Sequence, residues 1–252
     1  MGRASALLSR RAAAFVALAV AIGVYYATHE SWFRLSLWGD IAWLCFILIP
    51  AVFALVWLVL PAYALPLRVL FGTALAFGIT AVVLQWAGAE PVANFAKLGA
   101  MTFAGWCFLR FFEELSWVVL VALIVPFVDS YSVWRGPTNT IVNKHVEVFD
   151  ALSFTFPVPG LNGGAKLGLP DLLFFALFLG AAARWRLRVN VTWVCLAASV
   201  GGTMALATWW EKGGLPALPL LALGFLLPNA DLIWRDLGPR VRSARDRRRA
   251  PR

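Results

Sequence analysis

Apolar residues come in eight long runs along this chain, separated by short stretches rich in Pro, Gly, Trp and charge. The runs fall at 12–28, 37–60, 67–87, 92–111, 115–134, 168–183, 189–210 and 215–234. Each is near the roughly 20 residues that an α-helix needs to cross a bilayer. The expected fold is therefore all-α, a polytopic transmembrane bundle of about eight helices. Pro61 and Pro66 separate the second and third runs. Lys97, Gly99 and Gly105 interrupt the fourth, and Glu113 and Glu114 close it. The first run follows a basic start with Arg3, Arg10 and Arg11, a pattern shared with signal peptides. It ends in YYATHES, a poor small-residue cleavage site, so an uncleaved helix is expected.

The connection between the fifth and sixth runs is the long one. Within it, LSFTFPVP at 152–159 alternates apolar and polar positions for a few residues, as a short strand does. A Pro- and Gly-rich bend, PVPGLNGGAK, follows. An edge strand there would offer main-chain groups to an extended peptide by strand addition.

Composition agrees with a membrane protein: 61% of residues are hydrophobic and 14% charged. The formal net charge of +9 raises the question of nucleic acid, but the basic residues sit at run ends and in the C-terminal tail. Membrane topology accounts for them, and no nucleic-acid partner is expected. Cys45, Cys107 and Cys195 all fall inside apolar runs without metal-site spacing, so neither a metal nor a disulfide is expected. Trp32, Trp38, Trp134, Trp209, Trp210 and Trp234 lie near run ends, where indole rings anchor at the interface. Basic residues favour the cytoplasmic side. Arg3, Arg10 and Arg11, then Arg184, Arg186 and Arg188, then the Arg-rich tail from Arg235 share one side of an eight-helix chain. Both termini are thus expected in the cytoplasm and the long loop outside. The tail is expected to be disordered.

Two carboxylates lie inside apolar runs. Asp129 sits in VALIVPFVDSYSVWRG, six residues before Arg135. Asp171 sits in KLGLPDLLFFALFLG, five residues after Lys166. At about 1.5 Å of rise per residue, each lies roughly 7–9 Å inside the charge that marks its boundary. The runs are consecutive, so both boundaries face one side and the acids share a depth. A charge at the bilayer centre costs at least about 2.5–3.5 kcal/mol, and intramembrane carboxylates default to function. The bland alternative is that Asp171 only caps its helix.

Three motifs in order extend this picture. Asp129 precedes a long polar loop, GLPD closes on Asp171, and LPALPLL follows at 215–221. This set resembles the presenilin and signal-peptide-peptidase family of intramembrane aspartyl proteases, over about residues 115–234. SYSVWRG after Asp129 and KHVEVFDA at 144–151 are similar to archaeal members. In that family one Asp follows a Tyr, the second closes a Gly-Leu-Gly-Asp motif, and a Pro-Ala-Leu motif lies two helices later. Here Val128 stands for the Tyr and Pro170 for the second Gly. Pro suits a helix start, and it biases Leu169 toward an extended conformation.

The resemblance implies a catalytic pair, Asp129 and Asp171, that activates water without a metal or cofactor. It implies substrate contacts at Gly168, Leu169, Pro170, Pro216, Ala217 and Leu218, with the last three packed against the acids. In the family, a segment just before the second Asp pairs with unwound substrate. The implied partners are transmembrane proteins or peptides in a lipid bilayer, here a prokaryotic plasma membrane. The orientation read from charge matches the signal-peptide-peptidase sense. Helices 1–4 (1–114) would precede a catalytic region (115–234, with its 135–166 loop) and a basic tail (235–252). Family members usually have nine helices, one more than the eight runs. Two other readings of the same residues stay open. One is a proton- or cation-coupled transporter using the two acids, and the other an inactive homologue that binds transmembrane helices.

Overall fold

A computed structural model describes residues 2–135, 151–210 and 215–237. Eight helices and one hairpin make up these residues. In chain order they are α1 Gly2–Thr28, α2 Leu37–Leu58, α3 Leu67–Trp86, α4 Glu90–Leu109 and α5 Leu115–Arg135. The strands β1 Ser153–Pro157 and β2 Gly164–Gly168 follow, then α6 Leu169–Arg184, α7 Val189–Trp209 and α8 Leu218–Leu226. The chain continues beyond α8 through a 3₁₀ turn at Leu227–Asn229 into helical residues 230–237. Residues 144–150 of KHVEVFDA and the tail from 238 lie outside the described residues.

Local sequence explains the boundaries. Ser36 caps α2, its hydroxyl accepting from the Gly39 N–H at 3.2 Å, which satisfies one of the orphan donors of the first turn. Midway, α2 opens into a π-helical turn at Leu44–Leu48, just before Pro50. Proline has no N–H and its ring crowds the preceding turn, so the regular ladder gives way there. Pro126 inside α5 likewise has no N–H for the Ala122 carbonyl, three residues before Asp129. At its other end α1 runs back to Gly2, past the basic start, because nothing in GRASALLSRR breaks a helix.

Among the described residues, six helices are long and apolar enough to cross a membrane: Ser9–Ser31, Leu37–Leu58, Leu67–Trp86, Glu90–Leu109, Leu115–Val133 and Val189–Trp209. The protein is an integral membrane protein. With 16 residues, the length of its apolar run, α6 spans about 24 Å, and the 215–234 run forms α8, the Leu227–Asn229 turn and the helical residues after it. Phe175 and Phe178 of α6 and Phe225 of α8 are fully buried.

The centre of the core is α6. It packs on α4 at close range, because Gly105 and Gly180 leave no side chain between them. A Cβ on Gly105 would stand 2.5 Å from the Leu173 carbonyl oxygen, and one on Gly180 would stand 2.8 Å from the Trp106 ring. Trp106 seals this contact by donating Nε1–H to the Ala176 carbonyl at 3.1 Å. On its other sides α6 stacks Phe175 on Phe53 of α2, with 3.9 Å between ring centroids, and Phe178 on Phe225 of α8, at 5.0 Å. By contrast α5 sits at the periphery, packed mainly on α8, with Phe127, Val128 and Tyr131 exposed.

The hairpin pairs antiparallel from Ser153 opposite Gly168 to Pro157 opposite Gly164. The alternation of LSFTFPVP correctly marks β1. The second strand, GAKLG, was expected as part of a bend. Its glycines carry no alternation, and main-chain pairing with β1 alone makes it a strand.

Candidate functional site

Asp171 is the third residue of α6, and Gly168 is the N-cap, extended at φ −61° and ψ 142°. The Asp171 carboxylate accepts a hydrogen bond from the Gly168 N–H. A side chain at the third helical position that reaches back to the cap N–H is one half of a capping box. The capping role considered for Asp171 is therefore real, and it also fixes where the carboxylate points. Leu169 opens the helix, so the extended segment ends at Gly168 rather than at Leu169. The Leu169 N–H, left without a partner in its own first turn, donates to the Leu152 carbonyl at 3.1 Å and completes the hairpin ladder. Pro170 follows at the second helical position, exposed and with no N–H to satisfy.

Asp129 reaches the site from α5, downstream of Pro126. Its Oδ2 accepts from the Leu218 N–H at 3.0 Å. Leu218 is the first residue of α8, and Ala217 is its N-cap. That N–H is one of the donors a helix start cannot satisfy internally. The Pro216-Ala217-Leu218 segment thus meets Asp129 through main chain, with Ala217 and Leu218 buried and Pro216 half-buried. Both acids end at helix N-termini, Asp171 at its own and Asp129 at that of α8, where the helix dipole favours negative charge.

The two carboxyl groups, half-buried and drawn from different helices, are close enough to interact electrostatically. Gly168, Leu169 and Pro170 flank one of them, and Leu218 holds the other. Among the described residues no cluster of His, Cys, Asp and Glu is suited to a metal ion. Gly164–Leu167 of β2 runs straight into the Gly168 cap and Asp171, at the place where the resemblance implies a substrate-pairing segment; what the sequence did not show is that these residues form a strand. No family model, curated protein or solved structure matches this chain.

Proposed function

We propose that the protein is an intramembrane aspartyl protease that cleaves transmembrane segments. The observation that carries this reading is that Asp129 and Asp171, each at a helix N-terminus, lie within electrostatic reach of one another beside a strand that leads into Asp171. Hydrolysis of a peptide bond needs an activated water and a proton donor. Two neighbouring carboxyl groups share one proton, since both do not ionise easily side by side. The ionised member takes a proton from water as it attacks the scissile carbonyl, and the protonated member donates to that carbonyl oxygen. The pair titrates as a unit, so neither role belongs to one named Asp.

The hairpin supports the same reading. A helical substrate must unwind before its peptide bonds are accessible, and unpaired main-chain groups in lipid cost several kcal/mol each. A strand edge next to the acids supplies partners for them. Arginine placement supports cytoplasmic termini, with the hairpin and acids toward the outer side of a prokaryotic plasma membrane. That orientation suits substrates with a cytoplasmic N-terminus.

Purified protein, incubated in lipid with a transmembrane peptide, tests the proposal. Peptide fragments that vanish with Asp129→Asn and with Asp171→Asn support it. Intact peptide together with proton flux in proteoliposomes would assign the acids to transport, and tight peptide binding without fragments would assign them to an inactive binder.

A further inference from the structure

Bulky residues give way to small ones where α3 packs on α4. Phe77 of α3 stacks on Phe103 of α4 with 6.0 Å between ring centroids, and a Cβ on Gly99 of α4 would stand 2.9 Å from the Phe77 ring. The helices are locked together there. Beside that contact, Ala74, Gly78 and Ile79 of α3 and Ala100, Met101 and Ala104 of α4 line an apolar groove of about 470 Å³. Packing inside the chain gives no reason for Gly78, because a Cβ there would meet nothing within 4 Å. The groove wall on α4 continues at helical spacing from Ala104 to Phe108 and Phe111, both exposed.

Cations gather at the end of this groove. Arg110, the C-cap of α4, donates from Nη2 to the Tyr63 carbonyl at 3.1 Å and to the Leu65 carbonyl at 2.6 Å, in the segment that leads into α3. Its Nε is buried with no acceptor among the described residues. Arg184, the last residue of α6, donates from Nη1 to the Leu109 carbonyl at 2.7 Å, and its guanidinium lies 4.8 Å over the Trp185 ring. Arg68 is exposed in the first turn of α3, where the helix dipole disfavours a cation. At the same end of the bundle Arg188 is matched by Asp231. Among the described residues, Arg110 and Arg184 hydrogen-bond only to carbonyl oxygens, and the Arg68 side chain bonds to nothing. A carbonyl satisfies a donor but leaves the positive charge unmatched. Unmatched like charges at a membrane boundary attract an anion.

Depth joins the two features. Ala104 and Ala100 lie about 9 Å and 15 Å before Arg110 along α4. Half of a hydrocarbon core of about 30 Å is about 15 Å. One acyl chain hanging from a phosphate at Arg110 therefore runs the length of the groove wall on α4. A free phosphate would leave the groove empty. We propose that the groove and its arginines bind an anionic membrane lipid. Arg110, Arg184 and Arg68 hold the phosphodiester, which accepts from guanidinium forks, and one acyl chain lies between α3 and α4. The acids are remote from this site: Asp171 and Arg184 lie at opposite ends of α6, about 20 Å apart. Lipid binding here does not depend on the protease reading.

Native mass spectrometry of the purified full chain tests this, with phosphatidylglycerol and phosphatidylethanolamine of identical acyl chains and with inorganic phosphate. Wild type should retain one phosphatidylglycerol at least about tenfold more tightly than phosphatidylethanolamine. Arg68→Gln loses no bond within the chain, so it should fold normally. It should weaken phosphatidylglycerol by about fivefold and leave phosphatidylethanolamine unchanged. Arg110→Gln should weaken phosphatidylglycerol further, read against its own melting temperature without lipid. Gly78→Leu puts a side chain into open space in the groove, so this variant should also fold. It should weaken both lipids and leave their ratio near that of wild type. Inorganic phosphate should neither displace the lipid nor raise the melting temperature. Equal retention of the two lipids by wild type overturns the proposal. Binding unchanged in both Arg68→Gln and Gly78→Leu overturns it as well. Stabilisation by inorganic phosphate equal to that by phosphatidylglycerol would make the arginines an ion site and overturn the lipid assignment.

Discussion

The main-chain N–H of Leu218 donates to the carboxylate of Asp129 at 3.0 Å, across 89 residues of chain. One hydrogen bond thus joins the start of α8 to the C-terminal third of α5, a helix at the edge of the bundle. The partner acid, Asp171, is tied in the same manner to the Gly168 N–H at the start of α6. Each carboxylate satisfies a helix-start donor, and each is thereby held in place. Preorganisation of this kind is what acid–base chemistry on a peptide bond requires.

That bonding pattern separates the structural role of Asp129 from its chemical one. The amide oxygen of Asp129→Asn still accepts from Leu218, so the variant should melt close to wild type. Asp129→Leu leaves the N–H unpaired and should lose about 1–3 kcal/mol of stability. Cleavage should fall by at least about a hundredfold in Asp129→Asn, the size of a lost general acid–base group. Asp171→Asn should behave the same way in both measurements. Activity retained in either Asn variant refutes the pair, and equal stability of Asp129→Asn and Asp129→Leu refutes the hydrogen-bond account.

Which parts of this were legible in the sequence follows from the range of the forces involved. Helix positions come from hydrophobic runs and Pro breaks, which are local, and the structure places α2 to α7 within about two residues of them. What each apolar side chain faces was not legible: Phe175 and Phe225 pack on other helices, and apolarity alone does not distinguish lipid from protein. The expectation of a shared depth for Asp129 and Asp171 rests on Arg135 and Lys166 alone. Strand β2 was not legible, because Gly164, Gly168 and their neighbours acquire strand geometry only from pairing with β1. The bonds of Asn94 to the Thr155 N–H and of Lys97 to the Ser153 carbonyl were equally hidden: these partners lie 61 and 56 residues away.

Orientation is tested by thiol labelling. Asn162 is exposed in the hairpin turn and Arg186 is exposed between α6 and α7. Asn162→Cys should react with an impermeant thiol reagent added to intact cells, and Arg186→Cys should react only after lysis. The reverse pattern would put the acids on the cytoplasmic side.

A pH dependence with a definite sign comes from the opposite end of the bundle. Arg188 grips Asp231 with two hydrogen bonds of 2.7 Å, and also donates to the Pro228 carbonyl at 2.6 Å. The hydrogen bond and charge of Arg188 hold the exposed Asp231 carboxyl below its usual range. A carboxyl lowered by folding adds stability above its unfolded pKa of about 3.9 and loses it as pH falls through the folded value. The melting-temperature difference between wild type and Asp231→Asn should therefore be small and constant from about pH 8 to 5, and shrink only below about pH 4. A difference that changes between pH 6 and 8 would show that another group controls it.

Pro170 is where this chain departs from the Gly-Leu-Gly-Asp pattern, and the structure sharpens what a test of it means. Pro170 stands exposed at the second position of α6, between the Leu169 N–H that completes the hairpin and the Asp171 carboxylate that caps the helix. Pro170→Gly restores a main-chain N–H at a helix start and frees the backbone. The freed unfolded chain lowers stability by roughly 0.4–1 kcal/mol where the proline geometry already fits. The ladder bond of Leu169 and the cap bond of Gly168 do not involve residue 170, so the position of Asp171 should survive. The expected result is cleavage near the wild-type rate with a slightly lower melting temperature. Cleavage rising from near zero would instead identify Pro170 as the lesion of an inactive homologue. Loss of cleavage with an unchanged fold would mean that proline rigidity between β2 and Asp171 is itself needed to present the substrate. Rate and melting temperature, measured on the same preparation, separate the three outcomes.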